Sequence, residues 1–187
     1  MTDDPSTEPR RNLAITPTWA ADPTVAHWLG ALKDTRERTL EVVGQIDPGA
    51  VDWQRDDENT IGSLLYHIAV IEADWLYAEV LTEPFPEDVV ALFSWDVRDG
   101  SGRLSDVRSR TIEEHLDLLG AIRDRLVAAF EPMTIDEFLR PRALPLYDVT
   151  PEWVLHHLMQ HEAEHRGQIA VLASAFAASA GAAGAGS

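Results

Sequence analysis

Four of the chain's seven histidines lie within ten residues, in the stretch HHLMQHEAEH at positions 156–165. Two of them, His161 and His165, are four residues apart, so on a helix their imidazoles lie about 40° apart on one face. The stretch also contains the HExxH pattern of zinc proteases, in which two histidines bind zinc and the glutamate activates water. These residues therefore indicate either a metal site or a histidine-rich helix surface.

The direction in which the two histidines face favours the metal site. Apolar residues share their face of the predicted helix, so both imidazoles point toward the core. Burying two imidazoles without partners costs about 1–3 kcal/mol each, and one shared metal ion would satisfy both. The apolar residues on this face are Val154, Leu158, Ile169 and Leu172.

A protease would need a third ligand downstream of this pair, and the chain does not supply one. No histidine, aspartate or glutamate follows His165. The extended protease motif places glycine and histidine where this chain has Gln168 and Val171. The sequence therefore disfavours a zinc protease. Glu162 lies about 100° from His161, toward the flank of the apolar face, and is only a weak candidate for acid–base catalysis.

The best upstream candidate for a third ligand is His67. It lies between Leu64, Ile71 and Trp75 on the apolar face of another predicted helix. His157 is the next candidate, because it lies one helical turn before His161. It could act as a ligand, as a hydrogen-bond donor to a ligand, or as a base in a pocket.

The three remaining histidines are predicted to be structural. His156 lies about 140° from His161 and should face the solvent. His27 and His115 fall at surface or edge positions of their helices. The predicted metal ligands are thus His67, His161 and His165, while His157 and Glu162 are the weak catalytic candidates.

The ligand types limit the chemistry of such a site. The chain has no cysteine, which excludes disulfides, thiolate ligands and a cysteine nucleophile. Three neutral imidazoles leave a coordination position open, as in catalytic sites. Zinc and nickel fit this ligand set best, and iron, manganese and cobalt remain alternatives.

Four amphipathic helices are predicted to position these residues. They cover about residues 23–46, 60–81, 103–132 and 150–177, with Thr60 and Thr150 as N-caps and Pro151 at the first helical position. No alternating strand pattern or internal repeat appears, so we expect an all-α four-helix bundle. Two connections are long, and each is either the rim of a functional site or a surface excursion.

The ends of the chain differ from its body in composition. Residues 1–20 are polar and rich in proline, and residues 179–187 are almost entirely alanine and glycine. We predict one domain over residues 21–178 between two flexible ends.

Net charge and hydropathy bear on partners and location. The chain has 15 basic and 32 acidic side chains, for a net charge of −17. Such a charge repels polyanions, so we expect neither nucleic-acid nor anionic-membrane binding. The N-terminus lacks the apolar core of a signal peptide, and a cytoplasmic location is expected.

Two motifs give the chain a resemblance to a known family. The stretches TIGSLLYHIAVIEADWL at 60–76 and HHLMQHEAEHRGQIAVL at 156–172 resemble the DinB-like family of bacterial metal-binding four-helix bundles. The resemblance covers about residues 23–177 and implies that His67, His161 and His165 form the metal triad. It also implies an up-down-down-up topology, a pocket at the triad, and a homodimer.

Relatives in that family include S-transferases that use small bacterial thiols such as mycothiol or bacillithiol. The resemblance therefore implies a metal-dependent enzyme that activates a low-molecular-weight thiol for transfer to a small-molecule substrate. One alternative is a hydrolase in which the metal activates water. Another is a metal-stabilised protein that binds a small molecule or dimerises without turnover.

Overall fold

The computed structural model describes residues 13–184 and shows a mostly helical protein. Two short antiparallel strands, β1 (Arg142–Ala143) and β2 (Asp148–Val149), are the only paired strands in this part of the chain. The all-α class is therefore confirmed. The helices are α1 (Pro23–Val43), α2 (Ile61–Asp74), α3 (Glu87–Val90), α4 (Ile112–Phe130), α5 (Ile135–Leu139) and α6 (Pro151–Gly184).

The helices that carry the candidate ligands begin at the predicted caps. The Thr60 hydroxyl accepts a hydrogen bond from the Ser63 backbone N–H at 3.0 Å. The Thr150 hydroxyl accepts one from the Trp153 N–H at 3.1 Å, with Pro151 at the first helical position. Each cap satisfies an N–H that the helix itself leaves unpaired.

Several helix ends differ from the prediction. Helix α1 stops at Val43, and a π-helical segment, Trp75–Leu81, continues α2 to the predicted end. Helix α6 runs to Gly184, beyond the predicted end at residue 177, because alanine favours the helix strongly enough to carry it past Gly181. Residues 1–12 and 185–187, which include much of the predicted flexible ends, lie outside the described residues.

Helix α2 lies at the centre of the packing. Twelve of its fourteen residues are buried, more than the amphipathic pattern predicted, because this helix is apolar on nearly all sides. It packs against α4 and α6, and α6 packs in turn against α1. This arrangement brings the His67 region of α2 beside the histidines of α6.

The segment before α1 lies against that helix. The Thr18 N–H donates to the Ala26 carbonyl at 3.1 Å. A Cβ atom at Gly30 would lie 2.3 Å from the Thr16 carbonyl oxygen. Only glycine therefore fits at position 30 without moving the segment.

The long connection between the π-helical segment and α4 is fastened to α2. The Tyr66 hydroxyl donates to the Trp95 carbonyl at 2.7 Å and accepts from the Trp95 N–H at 3.0 Å. Further along, the Val107 N–H donates to the Ser63 hydroxyl at 3.0 Å. These bonds hold the connection beside the His67 end of the packing.

Within residues 13–184, no helix combines the length and the apolar character needed to cross a membrane.

Candidate metal centre

The three predicted ligands come together in the structure. His67 on α2 and His161 on α6 place their Nε2 atoms 3.2 Å apart. The Nε2 of His165, one turn further along α6, lies 3.1 Å from that of His161. One nitrogen of each ring lies within 4.8 Å of the others, which is close enough to hold one metal ion.

Hydrogen bonds alone do not satisfy these three nitrogens. The Nε2 of an imidazole carries either one proton or one lone pair in the ring plane. The Nε2 of His161 faces both other rings, so it can form a proper hydrogen bond with only one of them. A metal ion, by contrast, accepts a lone pair from all three rings.

The spacing also fits a metal. In a tetrahedral site with metal–nitrogen bonds of about 2.0–2.1 Å, ligand nitrogens lie about 3.3 Å apart. The observed separations of 3.1 and 3.2 Å are close to that value. The residues therefore fit a divalent metal ion.

Gln168 orients one of the ligands. Its side-chain oxygen lies 3.0 Å from His165 Nδ1. Because an amide oxygen only accepts, Nδ1 must donate, and the lone pair is left on Nε2, toward the other histidines.

The surroundings favour neutral imidazoles. Burial, with the positive charges of His165 and Arg98 adding to it, lowers the pKa of His67 to about 4. Burial, followed by the neighbouring histidines, lowers the pKa of His161 to about 3. Both rings are therefore unprotonated near neutral pH, as metal binding requires.

An open cavity of about 430 Å³ lies over the triad. A larger cavity of about 900 Å³ adjoins it, and the two share four lining residues, so they lie side by side. The shared residues are Asn59, Arg98, Leu104 and Gln168. The triad thus faces a space large enough for small molecules.

His157 lines the cavity over the triad. Its ring stacks on Trp153 at a centroid distance of 5.1 Å and an angle of 8°, and lies 4.4 Å from the Trp75 ring. Burial lowers the pKa of His157. The structure thus places a neutral imidazole in a defined orientation beside the triad.

Glu162 is buried elsewhere. Its side chain, which was expected at the flank of the apolar face, is only 1% exposed. Arg36 Nε donates to one carboxylate oxygen at 2.8 Å and Arg123 Nη2 to the other at 2.9 Å. Burial alone would raise the pKa of Glu162, but the two arginines outweigh burial and hold it below its usual range. His157 is among the described residues that line the cavity over the triad, and Glu162 is not.

The same two arginines bind a second buried carboxylate. Arg123 Nε donates to Glu72 Oε1 at 2.6 Å, and Arg36 Nη2 donates to Glu72 Oε2 at 2.8 Å. Glu72 follows His67 by five residues on α2, and Glu162 is adjacent to His161 on α6. The four charges therefore join the two ligand-bearing helices through α1 and α4.

The sequence did contain a signal for this buried network. Arg36 continues the apolar spacing of Leu29 and Leu32 on α1, and Glu72 interrupts a long apolar run on α2. A charge at a core position needs a partner. Helical spacing alone, however, cannot identify that partner, because all four residues come from different helices.

The other histidines lie away from the triad. His27 and His156 are exposed, as predicted. The edge position expected for His115 was wrong, because it is only 1% exposed. Its Nε2 lies 3.1 Å from where a Cβ at Gly62 would be, so the missing side chain at Gly62 makes room for the ring.

Comparison with known proteins places the chain in a family. No curated protein sequence matches it. The family model described as the DinB superfamily matches residues 31–169, which is well over half of the chain and includes all three histidines of the triad. The chain therefore belongs to the DinB superfamily.

Proposed function

We propose that the protein is a metal-dependent enzyme that binds a divalent ion, zinc or nickel, through His67, His161 and His165. The observation that carries this proposal is the convergence of three Nε2 atoms that hydrogen bonds cannot satisfy together. The open cavity over the triad supports a catalytic site, because a purely structural site would have its ligands sealed from solvent.

The proposed reaction is the transfer of a small thiol to an electrophilic substrate. A divalent ion held by His67, His161 and His165 would lower the pKa of a thiol or a water molecule bound to it. His157 is neutral and lines the cavity, so it can accept the proton that the thiol loses. Sulfur then forms a bond to an electrophilic carbon, and the leaving group departs with its electron pair.

Three further residues support this arrangement. Gln168 holds the His165 ring with its lone pair toward the site. Trp75 packs against His157 and limits its motion. We assign Glu162 a positioning role, since both of its oxygens are bound by arginine.

The presence of two adjoining cavities supports transfer between two small molecules rather than hydrolysis of one. The larger cavity has room for the second of two small molecules, beside the cavity over the triad. Hydrolysis by activated water remains the second candidate, because the same open position admits water. We also propose the up-down-down-up order of the four long helices and a homodimer, as in similar family members.

The first experiment measures the metal content of protein purified without a histidine tag, by elemental mass spectrometry. Wild type is compared with His67→Ala, His161→Ala and the control His156→Ala, which removes an exposed histidine of the same helix. We expect about one ion per chain in wild type and the control, and loss in both triad variants. Equal metal content in all four proteins would contradict the site.

A second measurement tests catalysis. The loaded protein is incubated with a panel of small thiols and a chromogenic electrophile, and product formation is compared with that of His157→Phe, which keeps an aromatic ring against Trp75. We expect metal-dependent product formation in wild type and a fall of about 100-fold in the variant, the size typical of a lost general base. Metal binding without any metal-dependent product would instead indicate a binding protein.

A further inference from the structure

Arg98 lies where the two cavities meet. It lines both the cavity over the triad and the larger cavity beside it. Its Nη1 donates to the Gly102 carbonyl at 2.9 Å. Within residues 13–184 this is its only side-chain hydrogen bond, and no carboxylate pairs with it. The side chain is exposed, and a guanidinium has five N–H donors, so several remain available to a ligand in the cavities.

The neighbouring arginines differ from Arg98 in this respect. Arg55 forms an ion pair with Glu58 at 2.5 Å. Arg103 donates to the Asp57 carbonyl. Both line the larger cavity but are not among the described residues around the triad. Arg98 is therefore the arginine placed to contact a ligand at the triad.

The position of Arg98 is set by a tight hairpin. Arg98 pairs with Leu104 in an isolated antiparallel bridge. The Asp99 carboxylate closes the turn by accepting from the Ser101 N–H at 2.8 Å and the Arg103 N–H at 3.1 Å. Because the backbone is held in this way, the backbone itself loses little conformational freedom when a ligand binds to Arg98.

The charges around the cavity favour an anionic ligand. The triad contributes three imidazoles and no carboxylate, so no ligand would neutralise the charge of a divalent ion there. Arg98 adds a further positive charge in the same cavity. The chain as a whole carries −17, and Asp57, Glu58 and Glu164 line the larger cavity, so the excess of positive charge is confined to the cavity over the triad. A ligand with a carboxylate would compensate the excess and pair with the planar guanidinium through two hydrogen bonds.

Part of the remaining wall of the cavity is apolar, beside the polar Asn59 and Gln168. Ile71 and Trp75 line it from α2 and the π-helical segment, and Leu104 lines it from the hairpin. These side chains suit the hydrocarbon part of a ligand. Together with Arg98 they form a site with one polar and one apolar end.

We propose that Arg98 is the carboxylate-binding residue of the substrate cavity, and that the substrate is a small organic carboxylate with an apolar body. The carboxylate pairs with Arg98, and the apolar body packs against Trp75 and Leu104. The reaction that this substrate undergoes is the part of the proposal that rests on the proposed function. The preference for a carboxylate itself depends on Arg98.

The test is calorimetric binding of a matched pair of probes, 3-phenylpropanoate and its neutral amide, to zinc-loaded protein. The proteins are wild type, Arg98→Gln, Arg98→Lys and the control Arg103→Gln, which alters the larger cavity only. We expect Arg98→Gln to weaken carboxylate binding about tenfold or more and to leave amide binding unchanged. Arg98→Lys should retain part of the affinity, and Arg103→Gln nearly all of it.

Two measurements distinguish failure of this proposal from failure of the proposed function. They are the metal content of each protein and the binding of the probes to metal-free protein. If Arg98→Gln keeps its metal and binds the carboxylate as wild type does, the Arg98 proposal is overturned and the metal site stands. A wild type that does not prefer the carboxylate over the amide overturns it as well. If the protein takes up no metal but still prefers the carboxylate through Arg98, the metal site fails and the carboxylate site stands.

Discussion

Arg36 on α1 and Glu162 on α6 form a two-point ion pair across 126 positions of sequence. Arg36 Nε lies 2.8 Å from Glu162 Oε1, and Nη2 lies 3.2 Å from Oε2. Both side chains are buried. With Glu72 and Arg123, they join four helices through charge-assisted hydrogen bonds. Because His161 is adjacent to Glu162, this network also fixes the part of α6 that carries the triad.

Glu162→Gln should destabilise the protein by about 3 kcal/mol, because it leaves two buried guanidinium groups with a single carboxylate. Chemical denaturation of the metal-free protein measures the change, so that metal binding does not contribute. The control is Asp34→Asn, which removes the partner of Arg38 in an exposed pair on α1, and it should change stability little. Similar stability of the two variants would show that the buried network contributes no more than a surface pair.

Gln168→Ala should weaken metal binding about 10–100-fold, because the hydrogen bond that orients His165 is lost. Gln168→Glu keeps an acceptor for the Nδ1 proton and should retain the affinity. Competition with a chromophoric chelator at pH 7.5 provides the measurement. Gln160→Ala, at an exposed position of the same helix, is the control. Equal affinities of the Gln168→Ala and Gln160→Ala proteins would exclude the orienting role.

His115→Leu should reduce the loss of stability at acidic pH. Burial, with Arg110 adding to it, lowers the pKa of His115 to about 4 from an ordinary value of 6.5. Between these values the unfolded chain binds the proton and the folded chain does not, so stability falls as the pH is lowered through this window. Above pH 6.5 the effect is absent.

The measurement is the free energy of unfolding of metal-free protein at pH 7.5, 6 and 5. Removing His115 should reduce the slope of the unfolding free energy against pH by up to about 1.4 kcal/mol per pH unit. Neither ring nitrogen has a hydrogen-bond partner in the described part of the chain, so leucine loses no bond there. His156→Leu makes the same substitution at an exposed histidine and should keep the wild-type slope. A wild-type slope in the His115→Leu protein as well would mean that His115 takes up its proton in the folded state.

The helices and the candidate triad were predictable from the sequence because both depend on local spacing. Threonine caps and apolar periodicity depend on residues within a turn or two of each other, and Thr60 and Thr150 cap as predicted. The i, i+4 spacing of His161 and His165 places both rings on one face of any helix. His67 could be named as their partner because a histidine on an apolar face needs one.

The surroundings of the triad depended on the tertiary structure. Glu162 and His115 were expected at a flank and an edge, but the helices around them bury both. A helix has neighbours on more than one side, and periodicity does not show how many of its faces are covered. The sequence also could not predict the partners of Arg36, Glu72 and Arg123, because each pair depends on how two separate helices are rotated about their axes.

By itself the sequence determined the helices, the ligand types and the face that carries His161 and His165, since these follow from residues close together in the chain. Only the tertiary structure decided which nitrogens meet, that Arg98 reaches the same cavity, and that Glu162 pairs with arginine instead of facing a substrate. Those contacts join residues from different helices and a long connection. Their geometry is set by the packing of the whole chain.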